Sequence, residues 1–275
     1  MTYRLFEGKE HASTYQKYRF TPPEELKNII LQYLDEKRPQ KGQPRGLAVD
    51  LGCGTGQNSR LLAPHFQEVV GVDISECQLE EARAVAGSSN ITYRKGTAEE
   101  LSFPDCSVDL LTAASAAHWF DQSRFLAEAS RVLKPRGCVA LLGFRDTSTS
   151  LRYQGCGDRL DRLFEEVKQA LLPYTSARIT LTEGKLEELY SAIPFPDKER
   201  IERVPVTSSI SVRNLMGFIE SFSMFQGYKK KDPKAAGELL LNTQKRFLEE
   251  MGVKSPDTEV EQELEYFCVL ASKPG

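Results

Sequence analysis

Three glycines alternate with single residues in Gly52-Cys53-Gly54-Thr55-Gly56, and a carboxylate, Asp50, stands two positions ahead of them. Residues 46–51 before the glycines read as a short apolar strand, and residues 57–66 after them as a helix. A glycine turn between strand and helix lets a ligand lie against bare backbone and meet the free N–H groups of the helix start. A second carboxylate, Asp73, closes the next strand-like run, residues 68–73.

The charges discriminate between ligands. A dinucleotide site needs G-x-G-x-x-G, whereas here the third glycine comes one residue early, and a diphosphate would avoid Asp50. A P-loop fails because no Gly-Lys-Ser/Thr follows. S-adenosylmethionine accords better. It carries a sulfonium, an ammonium and a carboxylate but no phosphate, and Asp73 is placed to accept from both ribose hydroxyls, as acids at the second strand of nucleotide folds do.

Strand and helix signals alternate around this loop. Strands are expected at 46–51, 68–73, 91–94, 108–113 and 138–144, with helices at 57–66, 75–86 and 121–133. That rhythm predicts an α/β, doubly wound, mostly parallel sheet covered by helices. Residues 1–21 read as an arm. Thr21 then caps a helix opened by Pro22-Pro23-Glu24-Glu25 and striped by Leu26, Ile29, Ile30 and Leu34. Beyond Phe144 the pattern changes to helices at 155–172, 184–192, 212–225 and 234–251, with strands at 200–210 and 263–271. The expected organisation is an arm and helix over the cofactor site (1–40), the cofactor-binding core (41–145), and a substrate cap plus closing strands of the same sheet (146–275).

Composition narrows the partners. The 275 residues are 40% hydrophobic and 27% charged with a net charge of −3, enough for a large core and without the basic excess of a dedicated duplex-DNA binder. The most apolar short run, 138–144, is strand-length, so no membrane segment or secretory leader is expected. Six scattered cysteines form no CxxC pair. Free thiols in a reducing cytoplasm, and no metal site, are the expectation. Lys229-Lys230-Lys231 reads as an exposed loop rather than a nucleic-acid contact.

The run Asp50-Leu51-Gly52-Cys53-Gly54-Thr55-Gly56 resembles the signature loop of the class I S-adenosylmethionine-dependent methyltransferases. Gly71-Val72-Asp73-Ile74-Ser75 resembles their second motif, Gly96-Thr97-Ala98-Glu99-Glu100-Leu101 their adenine-side motif, and residues 126–137 the helix and turn before strand five. Two departures stand out. Thr97 replaces the usual acid, with Glu99 as a possible substitute, and Arg136 replaces the first of two glycines. Within the family, Ala116-Ala117-His118-Trp119-Phe120-Asp121, Tyr15-Gln16-Lys17-Tyr18-Arg19 and Ile219-Glu220-Ser221-Phe222-Ser223 are similar to the trans-aconitate methyltransferase branch.

The resemblance implies a Rossmann-like, seven-stranded sheet with an antiparallel C-terminal strand and a helical cap. It implies cofactor contacts at Asp50, Gly52, Gly54, Gly56, Asp73, Ile74, Thr97, Ala98, Glu99 and Ala114, the carbonyls of Gly52 and Ala114 receiving the ammonium. Tyr18 and Arg19 would reach the cofactor carboxylate if the arm folds over the pocket. Methyl transfer from a sulfonium is mainly alignment. His118 is the candidate base or substrate contact, and Trp119 offers a π-face to the sulfonium. For an acidic acceptor, Arg145 and Arg152 are the candidate cations, with hydroxyls from Ser221, Ser223 and Tyr228. The leading function is methylation of a small molecule, such as a carboxylic acid. The alternatives are an RNA or protein methyltransferase, a non-catalytic cofactor-binding scaffold, and, last, a nicotinamide oxidoreductase.

Overall fold

The computed structural model describes residues 8–38, 42–144, 149–175 and 186–275. The arm is not extended throughout. Lys9–Tyr18 forms a helix, α1, and the chain then runs extended through Pro23 into α2, Glu24–Lys37. Thr21 does not cap α2. The N-cap position falls to Pro23, and the acids Glu24 and Glu25 face the positive end of the helix.

Five parallel strands follow: β1 Leu47–Leu51, β2 Glu68–Asp73, β3 Ile91–Lys95, β4 Val108–Ala114 and β5 Leu133–Phe144. Between them lie α3 Gln57–Leu62, α4 Glu76–Ala84 and α5 Gln122–Val132. Ser75 and Asp121 cap the last two by accepting from Gln78 and Arg124 N–H. β1 and β4 are buried along nearly their whole length, as strands covered on both faces must be. Arg136 does keep the left-handed backbone that the missing glycine would have supplied, at φ +64°, held by its N–H on the Lys273 carbonyl at 2.9 Å.

The remaining elements are β6 Ser150–Arg152, α6 Arg159–Leu171, α7 Glu187–Ala192, β7 Asp197–Ser211, α8 Val212–Glu220, α9 Ser223–Lys231, α10 Pro233–Met251 and β8 Glu259–Ser272. β8 inserts antiparallel between β5 and β7, giving the order β3-β2-β1-β4-β5-β8-β7. The sheet has eight strands rather than seven, because the short β6 continues along the β5 edge of β8. The single helix expected over 212–225 is two. Ser221 turns its hydroxyl back to the Phe218 carbonyl at 2.6 Å and Phe222 is extended, so α8 stops and α9 restarts.

One apolar core lies under each face of the sheet, against α5 on one side and α2 on the other, and a third fills the cap among α6, α8, α9 and α10. Helix α1 packs between α4 of the core and α8 of the cap. His11 donates from Nε2 to the Ser221 carbonyl at 3.0 Å, and Lys229 bridges Glu10 at 2.6 Å and Glu220 at 3.2 Å. Among the described residues no helix is long and apolar enough to cross a membrane.

Candidate cofactor site and its cavity

The strand order reverses direction between β1 and β4, and the carboxyl ends of these strands open a crevice, the usual ligand position in such sheets. The glycine loop fills its floor. Gly52, Gly54 and Gly56 all have positive φ (+61°, +54° and +84°), a region costly for residues with a Cβ. Two of them are also pressed by neighbours. A Cβ on Gly52 would come within 2.5 Å of Ala116 Cβ, and one on Gly56 within 2.2 Å of the Tyr93 hydroxyl. The loop is tied down by Cys53 N–H on the Val72 carbonyl (3.1 Å) and by Arg60 on the Thr55 carbonyl (2.9 Å).

Both carboxylates are engaged by the chain itself. Asp50 is fully buried and accepts from Asn58 Nδ2 at 2.8 Å and Ser59 Oγ at 2.6 Å. Burial raises its pKa to about 6 against the opposing pull of these two donors. Asp73 accepts from Gly54 N–H at 2.9 Å and Ser75 N–H at 2.8 Å. Burial moves its pKa upward as well. Each carboxylate offers about four lone-pair directions, so both retain capacity for a ligand.

Asp50, Gly52, Gly54 and Ala114, together with Gln57 and Asn58, line a cleft open to solvent whose enclosed volume is about 50 Å³. The arm contributes Tyr15, Arg19, Phe20 and Pro22 to the lining, the end of β5 contributes Leu142 and Phe144, and the middle of β8 contributes Tyr266. Arg19 lies over the rings of Tyr15, Phe218 and Phe222 at 4.9, 5.3 and 5.3 Å. Its Nε is buried without a hydrogen-bond partner, as is Nε2 of Gln57. Orphaned donors around a cavity mark a missing ligand. A carboxylate, Asp50, and a cation, Arg19, in one lining suit a ligand with an ammonium and a carboxylate on one tail, as S-adenosylmethionine has.

Several expected residues stand elsewhere. Tyr18 does not reach the cavity. Its ring lies so close against α8 that a Cβ on Gly217 would be 2.4 Å from it, and Tyr15, one helical turn before Arg19, occupies the position instead. Spacing by four along a helix singles out that pair. Glu99 accepts from Asp121 N–H at 2.8 Å and so ties the adenine-side turn to α5, while Thr97 pairs with Glu100 in an isolated bridge and Ala98 is buried. Gly56 and Ile74 belong to the loop and the β2 end without lining the cavity.

The acceptor-side expectations fare less well. His118 and Trp119 share the short turn after β4, their rings 4.7 Å apart, with Trp119 packed on the sheet core; neither lines the cavity. Arg152 is exposed on β6, and Arg145 lies outside the described residues. Ser221 is buried in the α8 ending. Ser223 is half-buried at the start of α9, and Tyr228 stacks on Tyr174 at 4.7 Å. None of the three lines the cavity. Phe20, Phe144 and Tyr266 were not singled out by sequence, because segments remote along the chain bring them together. Among the described residues no group of three or more His, Cys, Asp or Glu stands close enough to hold a metal ion.

Comparison with known proteins agrees with this geometry. Residues 49–141 match the methyltransferase-domain family. A Dictyostelium discoideum protein named as a methyltransferase is 37% identical over 133 residues, 48% of this chain and 47% of that one. The chain spans about half the length of the curated relatives that match it at 36–37% identity. A probable S-adenosylmethionine-dependent methyltransferase of Saccharomyces cerevisiae is 25% identical over 246 residues, 81% of this chain and 82% of that one. A solved structure of an Anaeromyxobacter dehalogenans protein, described as a type II methyltransferase, superimposes with a TM-score of 0.71 at 24% identity, covering 90% and 97% of the two chains. The loop of three left-handed glycines after β1 and the reversal of strand order beside it fall in the part of the chain, residues 49–141, that matches the methyltransferase-domain family.

Proposed function

We propose that the chain is an S-adenosylmethionine-dependent methyltransferase acting on a small molecule. The observation that carries this reading is the cleft at the β1/β4 crevice, lined in part by the arm, with Asp50 and Arg19, whose Nε is buried without a partner, both in its lining. A concave cleft of this kind, lined largely by apolar and aromatic side chains, suits a small acceptor better than an RNA strand or a protein surface. The short matches in the arm and after β4 support the trans-aconitate-like branch without fixing the acceptor.

When bound, the cofactor supplies an electrophilic methyl on a sulfonium that departs as a neutral thioether. The chain's own work is binding and orientation. Asp50 faces the ammonium while held by Asn58 and Ser59; Arg19 takes the carboxylate; Asp73 takes the ribose hydroxyls while fixing the loop through Gly54 N–H. The arm helix α1 excludes water by bridging core and cap through His11, Lys229 and Tyr18. The cytoplasm is the compartment this reading favours.

Calorimetry with EDTA present tests the reading. Direct binding of S-adenosylmethionine and S-adenosylhomocysteine is expected, with no binding of a nicotinamide dinucleotide. The reverse pattern would overturn it. Release of S-adenosylhomocysteine across a panel of small acids, amines, phenols and thiols then identifies the acceptor.

A further inference from the structure

We propose that the acceptor side of the cavity takes an uncharged, ring-bearing molecule with one oxygen, and that the Tyr266 hydroxyl is the hydrogen-bond donor that selects it. The inference rests on the methyltransferase reading of the same site. Its acceptor half is walled by Phe20, Pro22, Leu142, Phe144 and Tyr266. Register places Phe144 of β5 directly opposite Tyr266 of β8, and their rings meet at 5.4 Å and 58°. Such walls take a flat or alicyclic ring by area burial and ring geometry.

Tyr266 is the polar side chain on that wall. It is 5% exposed, lines the cavity, and its hydroxyl makes no hydrogen bond among the described residues. Burial pushes its pKa upward, with the Arg19 cation nearby pulling weakly the other way. The hydroxyl therefore keeps its proton at working pH, donates a hydrogen bond, and does not act as a base. Charge argues in the same direction. Among the described lining residues Arg19 is the one cation, and the cofactor carboxylate claims it. A second carboxylate would sit against aromatic rings unpaired. A hydroxyl set among aromatic rings accepts a molecule with an oxygen there and rejects the analogue without it.

The test uses the full chain saturated with S-adenosylhomocysteine and titrated by calorimetry with 4-methylphenol, toluene and 4-methylbenzoate. The phenol is expected to bind about tenfold more tightly than either of the others. Tyr266→Phe, which keeps the ring and its packing, should close the gap between phenol and toluene while S-adenosylhomocysteine affinity stays unchanged. Phe20→Lys, which adds a cation to the same wall, should turn the preference toward 4-methylbenzoate. Equal or tighter benzoate binding by the unaltered protein, no binding of the phenol, or a phenol–toluene gap that survives in Tyr266→Phe each overturns the proposal. Failure of S-adenosylhomocysteine itself to bind is a different result and sinks the underlying function instead.

Discussion

Around the glycine loop both carboxylates are engaged: Asp50, which lines the cavity, with Asn58 and Ser59, and Asp73, which does not line it, with the amides of Gly54 and Ser75. The rest of the lining is largely aromatic; there Arg19 Nε is buried without a partner, and the Tyr266 hydroxyl makes no hydrogen bond among the described residues. The first half is set before any ligand arrives, because both carboxylates are already held by neighbouring donors. The second half leaves its donors to be satisfied by what enters. A fixed cofactor half beside an acceptor half built on shape and one hydroxyl is a division of labour that substitution can separate.

The largest expected effect strikes the loop. In Gly52→Val the new side chain collides with Ala116 on a left-handed backbone. Cofactor binding should vanish in calorimetry and thermal stability drop by about 3 kcal/mol or more. Phe144→Leu, on the other half, should keep cofactor affinity within about twofold; equal damage from both would erase the distinction. Next comes Asp73→Asn, expected to weaken S-adenosylmethionine by about 1.5–3 kcal/mol as charge-assisted bonds to the ribose are lost. Asp73→Ala should also cost stability, since the Gly54 and Ser75 amides lose their acceptor.

Asp50 gives a pH signature. The folded protein holds its proton more tightly, with a pKa of about 6, than the unfolded chain, whose carboxyl titrates near 4. Stability therefore falls as pH rises from about 4 to about 6 and is level above that. Asp50→Asn should melt higher than the unaltered protein at pH 7.5 by about 2 kcal/mol, match it near pH 4, and bind the cofactor more weakly. The unaltered protein should lose cofactor affinity as pH drops below about 6, where the carboxylate facing the ammonium is protonated. An Asp50→Asn protein with the same melting profile would show that the buried carboxyl carries no such penalty. The smallest effect belongs to Arg152→Ala. Its side chain is exposed on β6, so stability and ligand affinity should stay within about 0.5 kcal/mol.

The cofactor half was readable from sequence because it is local. Asp50, the three glycines and Asp73 lie within one strand–loop–helix–strand unit, where spacing along the chain maps directly onto position in space. The eighth strand was missed because three residues, Ser150–Arg152, carry too little periodicity to register. The acceptor half was opaque for a different reason. Phe20 comes from the arm, Phe144 from β5 and Tyr266 from β8, and only the antiparallel insertion of β8 makes them neighbours. For Arg152, nearness to a strand end in sequence was a poor guide, since β6 carries it onto the outside. In the arm, helical spacing points to Tyr15 with Arg19, whereas adjacency had pointed to Tyr18.

The placement of β8 bears on how the protein reaches this state. β1 and β2 pair across one short helix, so the glycine loop closes over a small stretch of chain. The Phe144–Tyr266 pairing joins segments about 120 positions apart, and that loop-closure entropy must be met before the contact rewards it. Until β8 inserts, β5 and β7 each present an unpaired edge, the state in which sheets pair with the wrong chain. A refolding chain should thus protect the β1 and β2 amides from hydrogen exchange earlier than those of β8, and aggregate mainly in the interval between.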